Sequence, residues 1–275
     1  MSLFDAFRYD GRRAVVAGGA TGMGAAVVDV LLDGGADVIA MDRAEITRDG
    51  VTAVSLDLSD RASIDAAVDG LDGPVDALFS CAGVADGTPG LERINFIGHR
   101  HMIDRMVDKE LLGRGSAIGM ISSAAGFGWE ENLHNVEQYL AIRDFDEATA
   151  WAQEHGRTDY LWSKLTVNAF VAQEAMPLLK KGIRINATLP GPTTTPLAKA
   201  NADTWLTFAE DYRAEVGIEA STPLEQAYPL VFLCSPAASG ITGITVVSDA
   251  GYFASGTSKA YQPAVDAVGF MRMEF

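Results

Sequence analysis

The sequence predicts one α/β domain built on a doubly wound parallel sheet, and three observations carry that prediction. Short apolar runs alternate with helical stretches along all 275 residues. No Pro/Ser-rich linker interrupts them, which favours one large domain over two small ones. Glycines, serines, prolines and carboxylates fall just past the C-terminal ends of the apolar runs, where an open parallel sheet binds its ligands.

The first run, Arg13 to Ala17, leads into Gly18, Gly19, Ala20, Thr21, Gly22, Met23 and Gly24, then into the helical pattern Ala25 to Leu32. Strand, glycine turn and helix in that order let a pyrophosphate approach free backbone amides at the positive end of a helix dipole. The second run, Val38 to Met41, ends on Asp42. A carboxylate there accepts hydrogen bonds from both ribose hydroxyls and repels a 2′-phosphate, favouring NAD(H) over NADP(H). Arg43 is the counterweight, since a guanidinium turned inward would hold that phosphate.

The third run, Val51 to Leu58, brings Asp57, which either meets an adenine amino group or caps the helix after Ser59. The fourth, Val75 to Phe79, ends in Ser80, Cys81, Ala82 and Gly83, small residues that admit a ligand or simply turn the chain. The fifth, Ser116 to Ile121, ends on Ser122 and Ser123. Strand alternation points these two hydroxyls in different directions, and one at a strand end can hold a substrate oxygen. The sixth, Gly182 to Leu189, runs into Pro190, Gly191, Pro192, Thr193, Thr194, Thr195 and Pro196; the last, Ile244 to Val247, closes at Asp249, Ala250 and Gly251.

Composition excludes other classes. A formal charge of −16 repels phosphate backbones, so no nucleic-acid partner is expected. Two cysteines, Cys81 and Cys234, without a CxxC pair build neither a disulfide framework nor a structural zinc site, and suit a reducing cytoplasm. Cys81 reads as a small buried hydrophobe. With no basic-then-apolar leader and no membrane-length apolar stretch, the protein is expected to be soluble and cytoplasmic. All four histidines read as surface residues. His99 and His101, two apart on a helix, point to different faces, and no metal is expected.

Tyr160 and Lys164 carry the chemistry. Positions i and i+4 share a helix face, so an ammonium stands beside the phenol and favours its ionised form. Bringing a phenol pKa from about 10 to near 7 takes roughly 4 kcal/mol, which two positive charges in a dry cleft can supply.

In this order, the glycine pattern, the small-small-Ala-Gly turn, a Ser after the fifth strand, Tyr-x-x-x-Lys and Pro-Gly-x-x-x-Thr resemble the short-chain dehydrogenase/reductase superfamily from Arg13 to Gly251. The resemblance implies a Rossmann-type fold binding NAD. Gly18, Gly22 and Gly24, with Thr21 and Met23 between them, match the pyrophosphate turn, Asp42 and Arg43 the ribose site, and Asp57 and Leu58 the adenine site. Cys81, Ala82 and Gly83 match the turn after the fourth strand, and Pro190, Gly191, Thr193 and Thr195 the segment that fixes the nicotinamide. It further implies Ser123 as the substrate-oxygen serine, Tyr160 as the central acid/base and Lys164 as its partner, which also holds the nicotinamide ribose. Asn95 would hold a proton-relay water. Departures are Ala17 for Thr, Ser80 and Cys81 for Asn-Asn, and Ala250 in the closing Asp-Gly-Gly; none removes a reacting atom.

Spacing sets this chain apart. Between Ser123 and Tyr160 an insertion spanning about 126–159 predicts two short helices, one around Leu133 to Leu140 and one from Asp146 to Gly156. It resembles the branch of 3α-hydroxysteroid dehydrogenase/carbonyl reductase and coniferyl alcohol dehydrogenases. An insertion along the Tyr160 helix would shape the pocket and block helix pairing between subunits. Phe127, Trp129, Trp162, Leu197, Trp205, Leu206 and Phe208 are candidate apolar walls, against the alternative that aromatics at helical spacing are core. A lid is expected over about 197–220, before a capping box at Thr222, Pro223 and Glu225. The tail 252–275, with Tyr261, Phe270, Met271, Met273 and Phe275, is expected to dock on a second subunit of a homodimer or homotetramer.

The expected reaction interconverts an apolar secondary or ring alcohol, such as a 3α-hydroxysteroid, with its carbonyl. A coniferyl-type primary alcohol dehydrogenase and a non-catalytic NAD-binding protein are the alternatives.

Overall fold

In a computed structural model describing residues 2–273, seven parallel strands form one sheet: β1 (Arg13–Ala17), β2 (Asp37–Asp42), β3 (Val51–Ser55), β4 (Ala77–Ser80), β5 (Ala117–Ile121), β6 (Arg184–Pro190) and β7 (Thr245–Ser248). Their spatial order is β3-β2-β1-β4-β5-β6-β7, with every neighbouring pair parallel. All seven expected strands are present. The third is shorter than its apolar run: Leu56 and Leu58 are buried beyond the strand end, in the loop that carries Asp57.

Burial explains the apolar runs. Along β1, Val15 and Ala17 face one core while Ala14 and Val16 face the other, the period-two alternation of a sheet covered on both sides. Helices α1 (Gly22–Asp33) and α10 (Pro223–Cys234) cover one face, and α2 (Arg61–Asp69), α3 (Gly98–Asp108) and α6 (Tyr160–Lys180) the other. The expected capping box starts α10: Thr222 Oγ1 accepts from Glu225 N while Glu225 accepts from Thr222 N, which stabilises the helix by about 1 kcal/mol. Chain order reverses between β1 and β4. A crevice therefore opens there beyond the strand ends.

The stretch 126–159 contains α4 (Leu133–Ala141) and α5 (Phe145–Glu154). They pack onto α6 and onto a π-helical turn, Arg93–Ile97, that leads into α3. Tyr139 of α4 lies 5.7 Å from Phe96 and 5.1 Å from Trp151, ring centre to ring centre. Arg100, 1% exposed, sits over Phe96 at 5.1 Å, a cation held by an aromatic face. Trp162 is 2% exposed and belongs to this core, so it is no pocket wall. Two residues beyond Tyr160, a helix has turned about 200° and aims the indole inward.

After β6 come α7 (Pro196–Ala200), α8 (Ala202–Trp205) and α9 (Glu210–Val216); after β7 come α11 (Tyr252–Thr257) and α12 (Gln262–Met271). The last two pack on α9 and the start of the insertion within the same chain, through Tyr212, Tyr252, Phe253, Phe208 and Phe127. Intrachain aromatic contacts thus cover part of the apolar face of the tail expected to dock on a second subunit. Phe270 and Met273 point outward, and Phe275 lies outside the described residues. Among the described residues, no helix is long and apolar enough to cross a membrane.

Candidate active site

Two cavities meet beyond the strand ends. The first, about 210 Å³, is lined by Gly18, Thr21, Gly22, Met23, Gly24, Asp42, Arg43, Asp57, Leu58, Cys81, Ala82, Gly83 and Thr195. Gly18 has φ +89°, and a Cβ there would run into the Ala82 backbone, so only glycine lets β1 turn this close to β4. Thr21 is the N-cap of α1, yet its side chain caps nothing and no acidic residue sits in the first turn. The first-turn amides of α1 thus have no side-chain acceptor, as an anion site requires.

Asp42 is held in place at both oxygens, Oδ2 accepting from Ala20 N at 3.0 Å and Oδ1 from Ala44 N at 2.9 Å. Each oxygen keeps further lone pairs for a ligand. Asp57 accepts from Ser59 N at 2.8 Å and Ser59 Oγ at 2.6 Å, which holds its carboxyl below the usual range and ionised. The cap of α2 is Asp60, accepting from Ala62 N, so Asp57 is not the helix cap.

The second cavity, about 290 Å³, is lined by Ser123, Tyr160, Lys164, Pro190, Gly191, Thr193 and Thr195, and shares Met23, Cys81 and Gly83 with the first. Leu197, Trp205 and Phe208 form apolar wall, whereas Phe127, Trp129 and Leu206 do not line it. Phe127 stacks on Phe253 at 4.3 Å and Trp129 packs on the main core, both partly buried.

Strand alternation separates the two serines. Ser122 is buried and donates to the Lys164 carbonyl at 3.2 Å, while Ser123 opens onto the cavity. Asp159 caps α6 by accepting from Trp162 N at 2.8 Å, and the Tyr160 N–H donates to Asp86 Oδ1 at 2.7 Å. Two carboxylates therefore anchor the first turn that carries the phenol. Lys164 Nζ donates to the Ile121 carbonyl at 3.0 Å and stands 5.5 Å from the Tyr160 ring centre.

The phenol differs from expectation in this cleft. Burial pushes it up to about 12, the Ser123 hydroxyl pulls the other way, and the Asp86 carboxylate adds to the rise. Burial also brings Lys164 down to about 8, against the pull of Cys81. Desolvation thus outweighs the Ser123 hydrogen bond, and the phenol stays protonated at neutral pH.

Asn95 lies behind the cavity wall. Its Oδ1 accepts from Val84 N at 2.8 Å, and its Nδ2 donates to Val84 O at 3.0 Å and to Ser163 Oγ at 3.3 Å. It and Lys164 face the same small space: a Cβ on Gly83 would lie 3.5 Å from Asn95 Oδ1 and 3.7 Å from Lys164 Nζ. His99 is a further correction, being 2% exposed rather than on the surface. Its Nε2 lies 3.0 Å from the Ala82 carbonyl, which can only accept, and burial brings its pKa down to about 4. A neutral imidazole thus props the turn at Ala82. Cys81 lines both cavities, and burial pushes its thiol up, so it is a wall and no nucleophile. Sequence reading missed Asp86, Ala124, Ala125 and Thr204, and noted Met271 only as part of the apolar tail.

The chain is similar in sequence and fold to known proteins. A family model described as enoyl-(acyl carrier protein) reductase matches residues 18–253. Coniferyl-alcohol dehydrogenase of Pseudomonas sp. (strain HR199 / DSM 7063) is 27% identical over 87% of this chain and 96% of that protein. Cis-4-hydroxycyclohexanecarboxylate dehydrogenase of Sinomonas cyclohexanicum is 31% identical over 88% of this chain and 97% of that protein. The crystal structure of the 3-alpha-hydroxysteroid dehydrogenase from Pseudomonas sp. B-0831 complexed with NADH superposes with a TM-score of 0.75 at 28% identity, over 90% of this chain and all of that one. The chain belongs to the short-chain dehydrogenase/reductase family, with relatives in its hydroxysteroid and coniferyl alcohol branches. It is an oxidoreductase acting on CH–OH groups with a nicotinamide nucleotide.

Proposed function

We propose that this enzyme uses NAD(H) to interconvert an apolar ring alcohol and its ketone, the class that includes 3α-hydroxysteroids and cyclic ketones. The observation that carries the reading is the meeting of Ser123, Tyr160 and Lys164 on one cavity that opens into the glycine cleft. A primary alcohol of the coniferyl type is the second reading, supported by the similarity to coniferyl-alcohol dehydrogenase.

The residues present fit a dinucleotide. The α1 amides would hold its pyrophosphate, Asp42 the adenosine ribose, Asp57 and Leu58 the adenine, and Pro190, Gly191, Thr193 and Thr195 the nicotinamide. When bound, the cofactor supplies the carbon that accepts or gives hydride, and its oxidised ring supplies positive charge. Ser123 orients the substrate oxygen by a hydrogen bond. Tyr160 takes the hydroxyl proton in oxidation and returns it to the carbonyl oxygen in reduction. Lys164 binds the nicotinamide ribose and, together with the oxidised ring, offsets the desolvation that holds the phenol protonated. Asn95 and Lys164 together hold a water beside Gly83 that passes the proton to solvent. The protein works as a cytoplasmic homo-oligomer.

A panel of cyclic ketones, 3α-hydroxysteroids and cinnamyl-type alcohols, followed at 340 nm with NAD(H) and with NADP(H), tests this. Turnover of a cyclic alcohol with NAD and poor use of NADP are expected, and Asp42→Ala should narrow that preference by about tenfold or more, one lost charge contact. A wild-type preference for NADPH contradicts the Asp42 assignment.

A further inference from the structure

The substrate side of the second cavity is small, and the two residues that close it come from distant parts of the chain. Its volume of about 290 Å³ is shared with the nicotinamide segment Pro190 to Thr193. The whole is thus at the bottom of the ~300–1,000 Å³ range of drug-sized pockets, and only a fraction remains for substrate. Trp205 stands over the reacting phenol, with its ring centre 4.9 Å from that of Tyr160 and tilted by 41°. Met271, in the last turn of α12, completes the wall beside Ala124 and Ala125.

Met271 is fixed there by the start of the insertion. Gly128 has φ +79°, and a Cβ on it would overlap the Met271 carbonyl. Asn132 Nδ2 donates to the Met273 carbonyl at 2.8 Å, and the Arg272 guanidinium lies 5.4 Å from the Phe127 ring centre. A swing of α12 away from the pocket breaks all of these together.

We infer that Met271 and Trp205 set an upper size for the substrate, so that the enzyme accepts an alcohol or ketone on a single ring and turns away fused-ring analogues. The inference rests on the ring-alcohol reading above and narrows its substrate class to single rings, which leaves out the fused rings of 3α-hydroxysteroids. Neither residue exchanges a proton with substrate; both act by occupying volume, and the insertion acts by holding one of them in place.

The test uses the full-length enzyme with NAD and two alcohols of like reactivity, a substituted cyclohexanol and a decahydronaphthol. The wild type should favour the single ring in kcat/KM. Met271→Ala and Trp205→Ala should each raise the fused-to-single ratio by about tenfold or more, the scale of a few methylenes in an apolar pocket. Gly128→Ala, which displaces Met271 without altering its side chain, should also move the ratio, with thermal melts confirming that each variant is folded. Equal wild-type kcat/KM for the two alcohols, or a ratio unchanged in both Met271→Ala and Trp205→Ala, overturns the size limit and leaves the ring-alcohol reading intact. No turnover of any cyclic alcohol overturns that reading, and the size limit with it.

Discussion

Asp86 sets two properties of Tyr160 at once: it accepts the Tyr160 backbone N–H at 2.7 Å, and its charge disfavours the phenolate. Asn at this position keeps the acceptor and removes the charge. The phenolate of the cofactor-free protein, read as the absorbance titration of wild type minus Tyr160→Phe, should therefore have a midpoint above the ordinary 10. Asp86→Asn should move it down, because deleting a nearby negative charge favours the ionised phenol. Oxidation, which needs the phenolate, would then extend to lower pH. Asp86→Ala should in addition loosen the first turn of α6. An unchanged or higher midpoint in Asp86→Asn contradicts the account. The glycine turn, Tyr160 and Lys164 were legible in the sequence because their geometry is local: a turn at a helix start, and one helix face. Asp86, 74 residues from its partner, and His99, 17 from its own, have no local signature, since only the folded sheet brings them to the cleft.

At the scale of elements, the stretch 126–159 is a second layer over α6. Tyr139, Phe96 and Trp162 form one aromatic core between α4, the π-helical turn and α6, so the face of α6 that carries Trp162 is already covered within one chain. Homo-oligomers should therefore assemble without pairing that face of α6. A crystal or cryo-electron-microscopy structure of the assembled protein checks this, and α6 of one protomer packed on α6 of its partner through that face contradicts it. Spacing predicted the two helices of the insertion, yet the direction each aromatic faces was not legible. Trp162 turned inward because a helix rotates its neighbours away, and Phe127 because Phe253 offers a stacking partner. The tail shows the same limit: an apolar helix signals that something covers it, and the sequence does not say that part of the cover is Phe208, Tyr212 and Phe127 of the same chain.

Across the whole molecule, a parallel sheet gathers residues from six strand ends into one crevice, which is why features at strand ends in the sequence pointed to one cleft. The electrostatic balance was not predictable, since burial depends on the assembled fold. It raises the phenol and lowers the ammonium, leaving Tyr160 protonated at neutral pH in the cofactor-free protein. The central claim is that Tyr160 moves the proton. Turnover of a cyclic alcohol by Tyr160→Phe, measured beside NADH binding by fluorescence titration, tests it most directly. The account predicts binding within a few-fold of wild type and a loss of about 100-fold or more in kcat, the usual scale of a general acid/base. Near-normal kcat in that variant would contradict it.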